Sequence, residues 1–348
     1  FCFYGNQVGG HFCLVKPSSD SRRILVKPCA LGGNSGSAEL ELAAQEVVLK
    51  PFEEREHRFY TTMLGQAPAF VPHMARLFGT KTLTHRQVSA MTSQVDKIVK
   101  DSEENFLETR MRSHQFQKYI VLEDLASSLG RPCILDVKMG YKQRAKTHSD
   151  RKRERCRLKA RHSTSHSLGF RLCGLSTEHK AFDKYWGRKL PLSEIRGALA
   201  EYFLPPSATE EETRALLTGF LGHVRRLHEV ITAMPTWRFW NTSLLFLFDA
   251  GDLTAPPVMR MIDFAHCTEV RGSGPDREFL SGLSNIGTFL EALRDGHLFD
   301  GWISDRLAEA PDEAVQDAEE RQSDDEAARR PNGDPAAESG AETTAVGA

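Results

Sequence analysis

The 348-residue chain lacks most of the features that would assign it at a glance. No apolar run approaches the ~20 residues of a membrane-spanning helix, which excludes an integral helical membrane protein. The seven cysteines are scattered, with no CxxC pair and no regular spacing. They read as reduced thiols of the cytosol or nucleus rather than a disulfide framework or a zinc site. Phe1 is preceded by no initiator methionine and followed by no signal-peptide pattern, so the expectation is a piece of a longer protein. There is no internal repeat. Residues 305–348 almost lack large apolar side chains and are rich in Ala, Glu, Asp, Gly and Pro. Such a segment cannot bury enough surface to offset its ordering entropy, and a disordered acidic tail is expected there.

What is present is an ordinary globular balance, 40% hydrophobic and 26% charged, which argues against disorder of the whole chain. The net charge of −2 conceals an asymmetry: the tail carries −9 and the remaining residues +7. A basic body suits a polyanionic ligand, which the tail could screen, although a solvated tail has the same composition.

Along the chain, residues 7–29 read as a β-hairpin with a Ser-Ser-Asp-Ser turn, and Gly9-Gly10 as a weak phosphate-loop signal. Residues 31–50 read as an inserted Gly/Ser-rich loop passing into a helix, and Glu53 to Met63 as helical. A charge-mixed insertion is expected at 81–118, then a buried strand at Tyr119 to Leu122 that ends in Glu123-Asp124-Leu125. Pro132 to Gly140 and Leu168 to Gly174 read as apolar strands. The three- and four-residue steps of Leu217, Phe220, Leu221, Val224, Leu227 and Ile231 predict an amphipathic helix. Ser243 to Asp249 and Val258 to Phe264 predict a hairpin ending in an acid, and Leu280 to Leu293 a final helix.

Residues two apart on a strand share a face, so Asp136 and Lys138 stand side by side while Leu135 and Val137 face the core. Such a pair can be a plain ion pair. It is also what phosphoryl transfer needs, a carboxylate to orient a hydroxyl and an ammonium to neutralise the moving phosphate. Asp263 ends a hairpin where kinases present a magnesium ligand, or else simply caps its strand. Lys27 and Glu56 are a candidate strand-lysine and helix-glutamate pair for nucleotide phosphates. Ten of the 20 residues from Lys142 to Arg161 are Lys or Arg. The stretch could be a solvated helix or a nucleic-acid patch, but it lacks interleaved aromatics and directly follows the Asp136/Lys138 strand.

These blocks, in this order, resemble the inositol polyphosphate kinases. Pro132-Cys-Ile-Leu-Asp136-Val-Lys138-Met-Gly140 matches the family's PxxxDxKxG signature. Ser163 to Gly174, Asn241-Thr-Ser-Leu-Leu245 and Met261-Ile-Asp-Phe-Ala-His266 match later blocks. Gln7-Val-Gly-Gly-His11 and Cys173-Gly174 look most like the inositol hexakisphosphate kinase branch. Asn241-Thr242 stands where the family usually has serines. The resemblance implies an α+β, two-lobed kinase fold with antiparallel sheets and an ATP cleft between the lobes. The lobes would span 1–122, with insertions at 31–50 and 81–118, and 123–304, followed by the acidic tail.

It implies further that Lys27, Glu56, Ser243 and Asp263 serve ATP, with Glu123-Asp124-Leu125 as the adenine hinge. Asp136 would contact the ribose or the acceptor hydroxyl. Lys138 would lie between γ-phosphate and acceptor, and Asp263 would hold Mg2+. Pro132, Lys138, Gly140, Lys152, Arg155, Lys159 and His266 would line the acceptor site. The expected activity is ATP-dependent phosphorylation of inositol hexakisphosphate to an inositol pyrophosphate, in the cytosol or nucleus, with no membrane partner. The competing expectations are a kinase for a lower inositol phosphate, an idle inositol phosphate sensor, and a nucleic-acid-binding module.

Overall fold

The computed structural model describes residues 2–3, 15–16, 23–28, 39–84, 87, 118–142, 150–270 and 274–296. The expected acidic tail, the Gly9-Gly10 pair and most of the 81–118 insertion lie outside these residues. Two antiparallel sheets carry the fold. The N-terminal sheet contains β1 (Cys2–Phe3), β2 (Val15–Lys16), β3 (Arg23–Pro28), β4 (Leu40–Ala43), β5 (Val47–Pro51), β6 (Leu77–Thr82) and β7 (Lys118–Glu123), in the order β1-β2-β5-β7-β6-β3-β4. The C-terminal sheet is built from β8 (Pro132–Met139), β9 (Phe170–Ser176), β10 (Ala181–Phe182), β12 (Ser243–Asp249) and β13 (Val258–Ile262), ordered β10-β9-β8-β12-β13. A separate short ribbon pairs β11 (Trp237–Phe239) with β14 (Cys267–Glu269).

The described helices are α1 (Glu54–Gln66), α2 (Asp150–Arg161), α3 (Ser165–Leu168), α4 (Lys184–Lys189), α5 (Ile195–Phe203), α6 (Glu210–Thr232) and α7 (Arg277–Asp295). α6 follows its apolar periodicity and starts on a reciprocal cap. The Glu212 N–H donates to Thr209 Oγ1 at 3.2 Å, and the Thr209 N–H donates to Glu212 Oε2 at 2.8 Å. α7 starts at Asp276, whose carboxylate accepts from the Phe279 N–H at 3.0 Å and from the Phe239 N–H at 2.9 Å. One buried acid thus caps a helix and ties β11 to it.

Two sequence expectations fail in the N-terminal sheet. Residues 7–29 do not fold as one hairpin: β2 pairs with β5, whereas β3 lies on the far wing between β6 and β4. Nor do residues 39–50, the described part of the expected 31–50 insertion, pass into an α-helix: they form β4, a short turn and the start of β5. Val47, Val48 and Leu49 are buried, and β5 runs through the middle of the sheet, paired to β2 and β7. A short continuous apolar run belongs to a strand buried on both faces, and the Gly/Ser-rich residues ahead of it masked that signal. The next insertion also begins later than 81, since β6 reaches Thr82 and Leu83 is buried.

Aromatic side chains join α1 to the C-terminal half. Phe59 stacks on Phe264 with centroids 4.5 Å apart and meets Trp237 edge-on at 5.2 Å and Phe70 edge-on at 5.9 Å. All but Trp237 are buried, so these contacts combine area burial with favourable ring geometry. Truncation of Phe59 to Ala leaves a cavity at that junction and should cost about 3–5 kcal/mol. Chemical denaturation of the variant checks this, and an unchanged midpoint would show that the junction does not hold the two halves together.

Candidate active site

The strand period places the chemistry. Leu135, Val137 and Met139 of β8 enter the main core, which leaves Asp136 and Lys138 on the opposite face. β12 lies alongside in register, with Ser243 opposite Lys138 and Leu245 opposite Asp136. β13 pairs with the other edge of β12 and delivers Asp263 immediately after its last residue. Asp263 has φ +68°, a left-handed backbone that a non-glycine residue adopts at a cost.

Two ammonium groups hold that carboxylate. Lys50 Nζ donates to Asp263 Oδ1 at 2.7 Å, and Lys138 Nζ donates to Oδ2 at 3.2 Å. Lys50 also donates to Glu56 Oε1 at 2.7 Å, and the same oxygen accepts the Phe264 N–H at 3.1 Å. Lys138 reaches on to Ser243 Oγ at 3.3 Å, and the Ser243 hydroxyl hydrogen-bonds Asp136. Glu56, Lys50, Asp263, Lys138, Ser243 and Asp136 therefore form one continuous polar chain from α1 to β8.

The electrostatics follow from this order. Burial works against the Asp263 carboxylate, but Lys50 and Lys138 outweigh it and hold the group well below the usual carboxylate range. Burial likewise opposes the Lys50 charge, and Asp263 and Glu56 overcome it, raising Lys50 well above its ordinary value. Both groups stay ionised at neutral pH. Asp136 differs. It is 5% exposed, and its Oδ1 is buried without a hydrogen-bond partner. Burial pushes it up to about 6 against the pull of Lys138, with Asp263 adding to the rise. An unsatisfied buried carboxylate oxygen is costly and suits an incoming hydroxyl donor.

The lysine that meets Glu56 is thus Lys50, not Lys27. Lys27 is exposed on β3, opposite Thr80, and forms no ion pair among the described residues. Lys50 could have been found as the lysine closing Val-Val-Leu-Lys-Pro just ahead of α1. Glu123 closes β7 and Asp124 follows it. Their N–H groups donate to the Arg76 and Glu46 carbonyls at 2.9 and 2.8 Å, which leaves the Leu125 N–H without a partner among the described residues. Pro132 opens β8 opposite Asp249, and Gly140 closes it with φ +98°. Thr242 is buried and donates to the Phe239 carbonyl at 3.0 Å, a local structural role.

Arg155 and Lys159 lie exposed on α2, Lys152 belongs to the same helix, and His266 is half-buried in the loop after Asp263. The motifs did not single out Arg171, which is buried on β9 directly opposite Lys138. The donor set also limits the metal. Among the described residues no three His, Cys, Asp or Glu side chains cluster to cage an ion. One ionised carboxylate with an unsatisfied second nearby fits a cation that takes the rest of its shell from water and phosphate oxygens, as Mg2+ does.

Known proteins resemble this chain in sequence and in fold. The family model described as inositol polyphosphate kinase matches residues 119–291. Inositol hexakisphosphate kinase 3 of Mus musculus is 34% identical over 208 residues, covering 51% of this chain and 52% of that protein. Inositol hexakisphosphate kinase 1 of Rattus norvegicus is 31% identical over 242 residues, covering 54% and 55%. The chain thus spans about half the length of the curated relatives it matches. The crystal structure of an inositol phosphate multikinase from S. cerevisiae, in complex with ADP and Mn2+, shares the fold with a TM-score of 0.56 at 22% identity, over 71% of this chain and 98% of that one. Residues 119–291 thus resemble the inositol polyphosphate kinase family.

Proposed function

We propose that the protein is an ATP-dependent inositol phosphate kinase whose acceptor is inositol hexakisphosphate and whose product is an inositol pyrophosphate. The observation that carries this reading is the Asp263 carboxylate held between Lys50 and Lys138, with the orphaned Asp136 oxygen beside them. A binding module would have no use for two ammoniums poised on one strained carboxylate. The choice of acceptor rests on the two relatives named as inositol hexakisphosphate kinases at 31–34% identity.

In this reading the adenine is held at the hinge, where the Leu125 N–H supplies a donor. Lys50, fixed by Glu56, neutralises nucleotide phosphates. Asp263 holds a divalent cation, Mg2+ in the cell, which would offset charge on the phosphates when bound. Lys138 stands between the donor and acceptor sides and stabilises the transferring group. Asp136 accepts a hydroxyl hydrogen from a bound substrate. Arg155 and Lys159 face the acceptor, with Lys152 on the same helix and His266 across the site. The cellular setting proposed is the cytosol or nucleus. Cys133, Cys156, Cys173 and Cys267 are unpaired, and among the described residues no helix is long and apolar enough to cross a membrane.

Two outcomes test the reading. Lys50→Met keeps the apolar stem and removes the charge, so turnover of inositol hexakisphosphate should fall on the order of 10²-fold or more. Lys27→Met should remain near wild type, and the reverse ranking would return the nucleotide role to β3. The second test is pH. Asp136 must be ionised to accept a hydroxyl hydrogen, so kcat/KM should decline as pH falls through about 6. A flat profile between pH 5 and 8 would remove Asp136 from substrate contact.

A further inference from the structure

The acceptor side of the site contains cations that no motif names. α4 begins at Asp183, whose Oδ1 accepts from the Tyr185 and Trp186 N–H groups, both at 3.0 Å. The helix is pressed against β9: a Cβ at Gly187 would lie 2.1 Å from the Leu172 carbonyl oxygen. Only glycine permits that approach, and it carries the next residue, Arg188, to the flank of the strand that bears Arg171 and Cys173. The Arg188 guanidinium carbon sits 5.3 Å from the Tyr185 ring centroid. Its Nε is buried with no hydrogen-bond partner, and no carboxylate answers it among the described residues.

Its neighbours are also positive. Burial lowers the Lys159 pKa, and among the surrounding cations Arg188 contributes most, ahead of Arg171 and Arg155. Burial lowers Arg171 as well, with Arg188 adding to the effect and Asp136 opposing it. The Cys173 thiol, raised by burial and by Asp136, also feels Arg171, Lys138 and Arg188. Arg188 is therefore within electrostatic reach of the reaction centre. The acids of α2 are already engaged on their own helix, Asp150 with Arg153 and Glu154 with Arg157.

Three elements thus place Lys159, Arg171 and Arg188 within electrostatic reach of one another, with Arg171 paired opposite Lys138. Gathering like charges at a half-buried spot is unfavourable unless an anion completes it. The chemistry that satisfies several converging N–H donors and positive charges is a phosphate ester. We infer that Arg188, with Lys159 and Arg171, grips a non-reacting phosphate of the acceptor, and that Arg188 thereby sets how many phosphates the acceptor must carry. The inference rests on the kinase reading above and adds to it a specificity-determining residue.

The test uses the full 348-residue chain and the variants Arg188→Met and Arg188→Lys. Inositol hexakisphosphate and an inositol trisphosphate are titrated calorimetrically without nucleotide, and turnover with ATP is measured separately. Arg188→Met should bind the hexakisphosphate about tenfold or more weakly and lose much of the preference for it over the trisphosphate. Arg188→Lys should recover part of the loss, because lysine supplies the charge without the fork. The KM for ATP and the melting temperature should stay at wild-type values. Wild-type binding by Arg188→Met, a matching loss for both substrates with a lowered melting temperature, or no binding of either probe by the wild type would each overturn the inference. Weakened binding by Arg188→Met in a chain that transfers no phosphate would uphold the site and reject the kinase reading instead.

Discussion

One carboxylate between two ammonium groups organises the site. Asp263 takes Lys50 at 2.7 Å on one oxygen and Lys138 at 3.2 Å on the other, and those lysines come from different sheets. Removing Asp263 would leave two largely covered ammonium groups, Lys50 at 18% and Lys138 at 15% exposure, without their shared counter-charge, so each partner fixes the others. The arrangement also explains why a non-glycine residue sits at positive φ. The turn after β13 must aim a carboxylate back across β12 towards β8, and the two ion pairs hold it there against the strain.

Glu56 extends the constraint into the core. At 2% exposure it accepts from both Lys50 and the Phe264 N–H, so the residue that positions the strand lysine also positions the backbone beside Asp263. Phe264 in turn stacks on Phe59 of α1. Polar and apolar contacts thus run in parallel between the same two elements. The C-terminal sheet divides its residues by face: Leu135 and Val137 pack inward, while Asp136 and Lys138 stand on the opposite face with Ser243.

Much of this was legible in the sequence where local pattern and function coincide. The two-residue period of β8 fixed the pairing of Asp136 with Lys138, the acid-ended hairpin marked Asp263, and the heptad-like steps of α6 appeared with its cap. The strand lysine was not legible. Lys27 and Lys50 both close apolar strands ahead of Glu56, and only long-range pairing decides which strand lies beside α1. Val47–Pro51 occupies that central place, whereas β3 is displaced to a wing. Arg188 was hidden for a different reason. In Lys184-Tyr-Trp-Gly-Arg-Lys189 it reads as the basic end of a surface helix, and only the close approach at Gly187 brings it beside β9.

The central claim is that the carboxylate gripped by the two lysines is the group that holds the divalent cation with the nucleotide. Electron paramagnetic resonance of Mn2+ titrated into the protein with a non-hydrolysable ATP analogue measures this directly, without turnover. The account predicts a nucleotide-dependent bound Mn2+ in the wild type and an affinity reduced about tenfold or more in Asp263→Asn, because a neutral amide is a poor ligand for a hard cation. Equal Mn2+ affinity in the two proteins would contradict it.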